Sequence, residues 1–352
     1  MTHRNDKIGI DFHTYLAAAQ VGLENGWPRI YDQSAVSVEQ RELVSNMRTQ
    51  PYLSPPTVAW VTAPLSSLPY NTAYVAWAAV AFLVFAAALA WSGVSSGVAR
   101  WIGVFGALSP WWVIHSVDVG QVTPFVAAGA VFAWKLLRDN RDVEAGIVLV
   151  AILLKPNTAF LVPAALLVAG RHRAFLAWAG GAAAVMVLVF LTMGMHGIST
   201  YASQLSGPLP GGADNLTLHG AFAVTGTSAT VARLVIVGAV LGTAYRNRAK
   251  RSELFMPAAI IGSLLISPYL HASDLCLLSA AGWILWELTA AVPVRASLAM
   301  IWVLASPYLY VIQVSPQLNQ WPLLEIALLI GVVMLAWAPL TSVVDSRRRA
   351  PA

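Results

Sequence analysis

Apolar segments alternate with short polar gaps along the chain from residue 70 onward. Each segment is roughly 15 to 22 residues long, which suits a helix that crosses a hydrocarbon layer about 30 Å thick. The pattern predicts an all-α protein with about eleven membrane spans. The predicted spans cover residues 70–91, 101–117, 121–136, 143–155, 157–169, 174–194, 227–245, 254–269, 275–290, 295–312 and 321–341. Several are short, so we expect Pro156, Pro163 and Pro268 to break them or to leave half-helices.

Composition places the chain in the membrane class. Hydrophobic residues make up 58% of the 352 positions and charged residues only 11%. That balance is far from the balance of a soluble domain, so the protein is predicted to be polytopic and surrounded by membrane lipids. Its single cysteine, Cys276, excludes an internal disulfide and a metal cluster built on cysteines.

Most of the 21 Lys and Arg residues fall in one alternate set of gaps between the predicted spans. These residues are Arg100, Lys135, Arg138, Arg141, Arg171, Arg173, Arg246, Arg248, Lys250, Arg251, Arg295 and Arg347 to Arg349. Loops rich in Lys and Arg stay in the cytoplasm, which fixes the predicted orientation. The same loops explain the net charge of +5. Because no basic stripe with interleaved aromatic residues occurs, a nucleic-acid partner is excluded.

This orientation divides the chain into three parts. Residues 1–69 form an external segment with interfacial helices, residues 70–341 form the transmembrane bundle, and residues 342–352 form a basic cytoplasmic tail. The loop at about 195–225 also lies outside. No apolar stretch precedes the external segment, so we expect a first span to be missing from the start of the chain. The alternative is an N-terminal tail that crosses the membrane by itself.

Few ionisable or amide side chains occur in the gaps on the external side. They include Asp11, Asp118, Gln121, Lys155, Asn157, Asp214, His271 and Asp274. Such a set on one side of a membrane is typical of a site that works at that face. Each residue also has a structural interpretation: Asp11 would cap an amphipathic helix over residues 12–23, and Lys155 would reach to the interface from the end of a span.

The polar motifs follow an order and a spacing that resemble a known family. They are Asp11-x3-Tyr15, Ala17 to Ala19, Gly26, Tyr31-Asp32, Tyr52-x2-Pro55-Pro56, Pro64-Leu65-x3-Pro69, Gly120-Gln121, Ala145-Gly146, Leu154-Lys155-Pro156, Ser267-Pro268 and His271-x2-Asp274. Over about residues 11–275 the chain resembles glycosyltransferase family 87, whose members are membrane enzymes that use polyprenyl-phosphate sugars. Two features depart from the family pattern: no span precedes Asp11, and Ser54 stands beside the prolines.

The resemblance implies the C-type glycosyltransferase fold, with the site on the non-cytoplasmic face of the plasma membrane. It implies Asp11 as the catalytic carboxylate. It also implies transfer of a hexose, mannose in typical members, from a polyprenyl-phosphate donor to a lipid or glycan acceptor. The charge pattern, taken alone, also places Asp11 on the external side.

A single carboxylate suffices for such a transfer. The acceptor hydroxyl must lose a proton, whereas the phosphate leaves already ionised. The displacement is expected to invert the anomeric centre, so it does not need the second carboxylate of glycoside hydrolases. No cofactor is expected. A metal is not expected either, although Asp118, His115 and Gln121 could form a cation site together with Asp11.

A cation should face the departing phosphate, because negative charge builds up there. Lys155 is the best candidate, since it lies at a predicted helix end on the external side and Pro156 follows it. Arg233, about one turn inside a span, is either a second phosphate ligand or an internal salt-bridge partner. His271 is a third candidate for the phosphate.

Other polar residues of the motifs are candidates for binding the acceptor or the sugar: Tyr15, Tyr52, Gln121 and Asp274. If a helix continues past Pro268, His271 and Asp274 share one face of it. The structural alternative for these two residues is a hydrogen-bonded loop pair or a helix cap.

Three other functions stay open at this point. An arabinofuranosyltransferase would keep the fold and change the sugar. A transporter or flippase for lipid carriers should show two related halves and charges near the bilayer midplane, and no convincing repeat is present. The missing first span also allows an inactive, truncated family member.

Overall fold

The computed structural model describes residues 8–207, 216–248, 253–316 and 320–337, and these residues form helices without a β-strand. The α-helices are α1 (Ile10–Asn25), α2 (Gln33–Leu43), α3 (Pro56–Thr62), α4 (Tyr70–Ser92), α5 (Gly97–Leu108), α6 (Trp111–Asp118), α7 (Thr123–Arg138), α8 (Asp142–Val148), α9 (Leu161–Val168), α10 (His172–Leu205), α11 (Leu218–Phe222), α12 (Gly226–Asn247), α13 (Phe255–Ile266), α14 (Cys276–Leu288), α15 (Val292–Leu304), α16 (Pro307–Val311) and α17 (Trp321–Trp337). Short 3-10 helices cover Trp27–Arg29, Ala63–Ser67, Leu149–Leu154, Pro156–Thr158 and Ala272–Leu275.

Three helices, α4, α10 and α12, are long and apolar enough to cross a membrane. Shorter apolar helices are α5, α13, α15 and α17. Large apolar side chains such as Leu176, Leu191 and Leu234 stay exposed on α10 and α12, as expected for surfaces that face lipid. The protein is an all-α membrane protein, and the count of about eleven spans stays a prediction. Asp214, Lys250, Arg251 and the tail at 342–352 lie outside the described residues.

Several predicted spans are interrupted near prolines, but the break predicted at Pro163 is wrong, because this residue lies inside α9. The predicted span at 101–117 is divided between α5 and α6 at Pro110. After α8, the backbone tightens into a 3-10 helix that ends at Leu154, directly before Lys155 and Pro156. Proline lacks the N–H that would continue the helix, so this segment becomes a half-helix with a polar end.

Helix α1 is more deeply buried than an interfacial helix would be. Most of its residues on every face are buried, from Ile10 to Gly22. The predicted N-cap role of Asp11 is wrong: the cap position belongs to Gly9, and Asp11 lies in the first turn. The reason is that Gly9 adopts a left-handed conformation, with φ 70°, and its N–H donates to Asp118 O at 2.7 Å. This docking extends the helix by two residues at its start.

Helices α7, α13 and α14 join two polar layers. At one layer, which we call the site end, Thr123 Oγ1 at the start of α7 donates to Ser273 O at 3.1 Å, just before α14. At the other layer, the basic end, Arg171 pairs with Glu253 before α13. Helix α7 has 16 residues, which separates its two ends by about 24 Å.

Candidate active site

Backbone hydrogen bonds hold the start of α1 against the turn between α6 and α7. Val119 O accepts from Asp11 N at 2.9 Å and from Phe12 N at 3.2 Å. Helix α4 fixes the same turn from the other side, where Tyr74 Oη donates to Asp118 O at 2.8 Å and Trp77 Nε1 donates to Gly120 O at 2.9 Å. The position of Asp11 is therefore set by main-chain contacts rather than by its own side chain.

Gly120 allows this close approach. Its φ is +74°, and a Cβ at this position would lie 2.5 Å from Phe12 Cβ. A side chain would be strained in the left-handed region and would also push α1 away from the turn. The close contact between α1 and the turn therefore explains why the Gly120-Gln121 motif contains a glycine.

Gln121 orients the Asp11 carboxylate. Gln121 Nε2 donates to Asp11 Oδ2 at 2.8 Å. The amide oxygen of Gln121 accepts from Tyr15 Oη and, at 3.0 Å, from Val122 N. Because these two donors occupy the oxygen, the amide nitrogen must face Asp11. Three predicted site residues, Asp11, Tyr15 and Gln121, are thus directly connected.

Lys155 and Asp274 form a second connected pair beside the first. Lys155 Nζ lies 2.6 Å from Asp274 Oδ1, with the two side chains 10% and 0% exposed. The other oxygen, Asp274 Oδ2, accepts from His271 N at 2.9 Å. Lys155 is therefore not a solitary snorkelling lysine, since its ammonium is turned inward onto a buried carboxylate.

His271 and Asp274 would share a helix face only if a helix continued past Pro268, and this condition is not met. Helix α13 ends at Ile266, before Pro268, and a 3-10 helix starts only at Ala272. Asp274 instead folds back to cap that short helix through the His271 backbone. The structural alternative of a hydrogen-bonded cap describes this local geometry, and it also leaves Asp274 in contact with Lys155.

Asp11 and Asp32 both lie near the start of a helix, yet their environments differ. Asp32 is the N-cap of α2, and hydrogen bonds from Ser34, Arg29 and Ala35 lower its pKa to about 2. Burial raises the pKa of Asp11 to about 6; Lys155 and the Gln121 amide lower it, and Asp274 raises it. Structural capping stabilises the charged form of a carboxylate, whereas a raised pKa near neutrality suits a base.

Two further predicted site residues, Tyr52 and Arg233, belong to neither of the two bonded groups. The Tyr52 ring contacts the Tyr15 ring edge-on at 6.4 Å, and its hydroxyl donates to Pro55 O at 2.8 Å and accepts from Ala59 N at 3.1 Å. Arg233 is exposed on α12 and lines a groove with His219 and Ser267. The structure brings Tyr52 next to Tyr15, whereas Arg233 stands apart from the Asp11 carboxylate.

Two residues that sequence reasoning missed also adjoin the site. Burial raises the pKa of Tyr269, while Lys155 lowers it and Asp274 raises it, so this hydroxyl lies close to the ion pair. Tyr201, on the last turns of α10, stacks on Tyr31 with 4.5 Å between ring centroids. Tyr269 could have been found from the sequence, because it lies within the Ser267-to-Asp274 motif. No sequence pattern points to Tyr201.

Asp118 and His115 do not form a metal-holding group with Asp11 among the residues that the structure describes. Asp118 contributes its backbone oxygen to Gly9 and Tyr74. In the described ranges, no group of three His, Cys, Asp or Glu side chains is arranged to hold a metal ion.

The class that this geometry defines is an all-α membrane protein with two neighbouring bonded groups at its site end, one of carboxylate and amide and one of ammonium and carboxylate. A model of glycosyltransferase family 87 matches residues 52–268, more than half of the chain. The chain belongs to glycosyltransferase family 87 and is a glycosyltransferase. Tyr52, Gln121, Lys155 and Arg233 fall inside the matched range, whereas Asp11, Tyr15, His271 and Asp274 lie outside it. No curated protein and no solved structure gives a significant match.

Proposed function

We propose that this glycosyltransferase moves a hexose, most readily mannose, from a polyprenyl-phosphate donor to a lipid or glycan acceptor at the outer face of the plasma membrane. The observation that carries the proposal is the half-buried Asp11 carboxylate, held by Gln121 and neighbouring the Lys155–Asp274 pair. A base, a cation and their orienting groups thus share one cluster.

The chemistry proceeds as a single displacement. Asp11 takes the proton of an acceptor hydroxyl while that oxygen attacks the anomeric carbon of the donor. The bond between this carbon and the phosphate oxygen breaks, and the phosphate leaves with the electron pair. Attack and departure on opposite faces invert the anomeric configuration. A pKa of about 6 leaves Asp11 mostly ionised at pH 7 and still basic enough to accept a proton.

Lys155 serves the leaving group in this mechanism. The departing phosphate gains negative charge, and a buried ammonium stabilises that charge more strongly than water would. Asp274 holds the ammonium in place at 2.6 Å before the donor arrives. When the donor binds, its phosphate shares Lys155 with Asp274. His271, next to this pair, is proposed as a further phosphate contact, and Arg233 as a contact for the same lipid outside the cluster.

The sidedness rests on the two ends of the bundle. Arg138, Arg171 and Arg295 belong to the layer opposite to Asp11, and basic residues favour the cytoplasmic side. This distribution supports an extracytoplasmic site, where polyprenyl-phosphate sugars replace nucleotide sugars as donors.

The decisive experiment is transfer by Asp11→Asn in membranes supplied with radiolabelled polyprenyl-phosphate mannose. Asn keeps the size of Asp and accepts the Gln121 hydrogen bond, but it cannot take a proton. We expect a lipid or glycan product from the wild type and none from the variant at equal protein level. Retained transfer by the variant removes Asp11 from the mechanism.

Asp32→Asn is the matched control. Asp32 lies in the same N-terminal segment, and asparagine caps a helix as well as aspartate does. Its transfer should equal that of the wild type. A loss of transfer in both variants would point to a general effect of charge on the segment, and glucose or arabinofuranose donors in parallel reactions test the choice of sugar.

A further inference from the structure

The last turns of α10 are redirected toward the site. The helix breaks at Gly194, with φ 60° and ψ −179°, and no atom lies within 4 Å of where its Cβ would be. Glycine is therefore needed for the backbone conformation and not for packing. Beyond the break the chain crosses over the Trp27–Arg29 turn, where Gly197 approaches Pro28 Cα to 3.2 Å from its ideal Cβ position.

This crossing places Tyr201 at the end of a row of four tyrosines. Ring centroids are 4.5 Å apart for Tyr201 and Tyr31, 5.4 Å for Tyr31 and Tyr52, and 6.4 Å for Tyr52 and Tyr15. The row ends at Asp11, because the Tyr15 hydroxyl is bonded to the same Gln121 that donates to the carboxylate. Tyr201 is thus linked to the proposed base by continuous packing.

The three inner hydroxyls already have partners, and the outer one does not. Tyr31 donates to Ser54 O at 2.8 Å, Tyr52 is bonded to the backbone, and Tyr15 is bonded to Gln121. Tyr201 is only partly buried, and its hydroxyl makes no hydrogen bond within the part of the chain that the structure describes. The inner rings form a fixed support, and Tyr201 presents an unused polar group.

Tyr269 belongs to the loop that leads to Asp274, where its backbone oxygen accepts from Asn157 Nδ2 at 3.2 Å. The hydroxyls of Tyr269 and Tyr201 are close enough to interact electrostatically. Tyr269 also lies within electrostatic range of Lys155 and Asp274, and its ring meets the His271 ring edge-on at 6.1 Å. Like Tyr201, it is partly buried, and its hydroxyl has no hydrogen-bond partner among the described residues.

Two adjacent tyrosines with unused hydroxyls suit a neutral ligand rich in hydroxyl groups. A sugar ring packs its C–H face on an aromatic ring and exchanges hydrogen bonds with phenol groups, which both donate and accept. A fixed positive charge would be less suitable here, since the reacting sugar becomes cation-like in the transition state. Because Tyr269 adjoins Lys155, a sugar whose phosphate contacts that lysine would lie beside the tyrosine pair.

We propose that Tyr201 and Tyr269 form the binding site for the sugar ring of the donor and so contribute to the choice of sugar. The proposal rests on the proposed function, which supplies the phosphate contact at Lys155. It adds a recognition element on the redirected end of α10 that acts on the transferred sugar and not on its lipid.

The test compares binding of two lipids to the purified protein. One is polyprenyl phosphate without sugar, and the other is a polyprenyl-phosphate mannose analogue whose bridging oxygen is replaced by carbon so that it cannot react. Tyr201→Phe and Tyr269→Phe keep the rings and remove one hydroxyl each. We expect each variant to bind the sugar analogue about 3- to 10-fold more weakly and to bind the sugar-free lipid as the wild type does.

Tyr245→Phe is the matched control, because Tyr245 is exposed and lies near the C-terminal end of α12. The inference is overturned if both lipids lose affinity equally, which would assign the tyrosines to support of the phosphate contact, or if neither lipid loses affinity. If the wild type binds neither lipid, the proposed function itself fails. A changed preference between mannose and arabinofuranose donors in steady-state transfer would be a second, independent confirmation.

Discussion

The two ends of the bundle each contain buried charges, but the charges are balanced differently. At the basic end, Arg171 is shared by Asp142 at 3.1 Å and Glu253 at 2.8 Å, so both sides of its guanidinium are paired. At the site end, Lys155 has one direct partner, Asp274, and the neighbouring Asp11 is bonded only to a neutral amide. The first cluster is saturated, whereas the second has a carboxylate without a cation in contact.

This difference separates structural charges from reactive ones. In the basic cluster two carboxylates share one cation, which fixes the loops that carry them; burial raises the pKa of Glu253, but Arg171 in direct contact lowers it. An unsaturated carboxylate is costly to ionise, which the raised pKa of Asp11 expresses, and that cost is tolerated where a proton must be transferred. Each of the following experiments changes one end and leaves the other as a reference.

The largest effect is expected from Arg171→Gln at the basic end. The change leaves Glu253, which is 7% exposed, without its cation, and breaking a buried pair costs about 3–5 kcal/mol of stability. Unfolding in detergent should show this loss, while transfer per folded molecule stays unchanged. The double variant Arg171→Gln/Glu253→Gln should recover much of the stability, and a loss of transfer in the folded fraction would contradict the structural assignment.

The next largest effect is expected from the loss of Lys155. It should slow transfer even when the stability of the fold is restored. Lys155→Gln alone leaves Asp274 buried and unpaired, so we combine it with Asp274→Asn to keep the pair neutral. The double variant should regain thermal stability yet transfer about 10²- to 10³-fold more slowly, since the leaving phosphate loses its cation. Lys135→Gln, in an exposed pair with Asp139, is the control and should behave as the wild type. Wild-type transfer by the double variant would exclude Lys155 from the reaction.

Asp11→Asn should stabilise the protein while removing activity. The folded-state pKa of about 6 lies above the ordinary value of 3.8, so the contribution of Asp11 to stability is fully present below pH 4 and is lost as the pH rises through 6. At pH 7 the wild type therefore carries a cost of about 2–3 kcal/mol that the amide avoids. A higher unfolding midpoint for the variant at pH 7, with no difference at pH 4, would show this. A lower midpoint at pH 7 would favour a structural role for Asp11.

The smallest effect is the pH dependence of transfer. A base with a pKa of about 6 must lose its proton before it acts, so kcat/KM should rise as the pH increases and level off above 7. Transfer at pH 5 should be about tenfold slower than at pH 7. The profile of Lys135→Gln should coincide with that of the wild type, and a flat profile between pH 5 and 7 would contradict a base in this range.

Much of the architecture follows from the sequence, because apolar length and charge position act over a few residues. The helical class, the breaks at Pro156 and Pro268, and the layer that contains Arg138 and Arg171 are all local consequences of composition. The N-cap prediction for Asp11 failed for the opposite reason. Its helix starts where a distant turn offers a carbonyl group, and no local pattern reveals that contact.

The sequence suggested which residues form the candidate site, but not which of them are bonded to each other. Motif order suggested Asp11, Gln121, Lys155 and Asp274 as site residues, and the structure joins them in two bonded pairs. The pairing of Lys155 with Asp274 depends on how the 3-10 helix Leu149–Leu154 and helix α14 both pack against α7, which single-residue patterns do not specify. Tyr201 was missed because its role depends on the break at Gly194, and a lone glycine in an apolar run has many structural explanations.

The long sequence separation between Lys155 and Asp274 has a consequence for biosynthesis. A growing chain that has inserted its helices only through α10 already contains the lysine but not the aspartate that receives it. Until α14 arrives, that ammonium sits in the bundle without its counter-ion, which disfavours premature closure of the first half. The ion pair of the candidate site can therefore form only late in synthesis, after Asp274 and the start of α14 have been made.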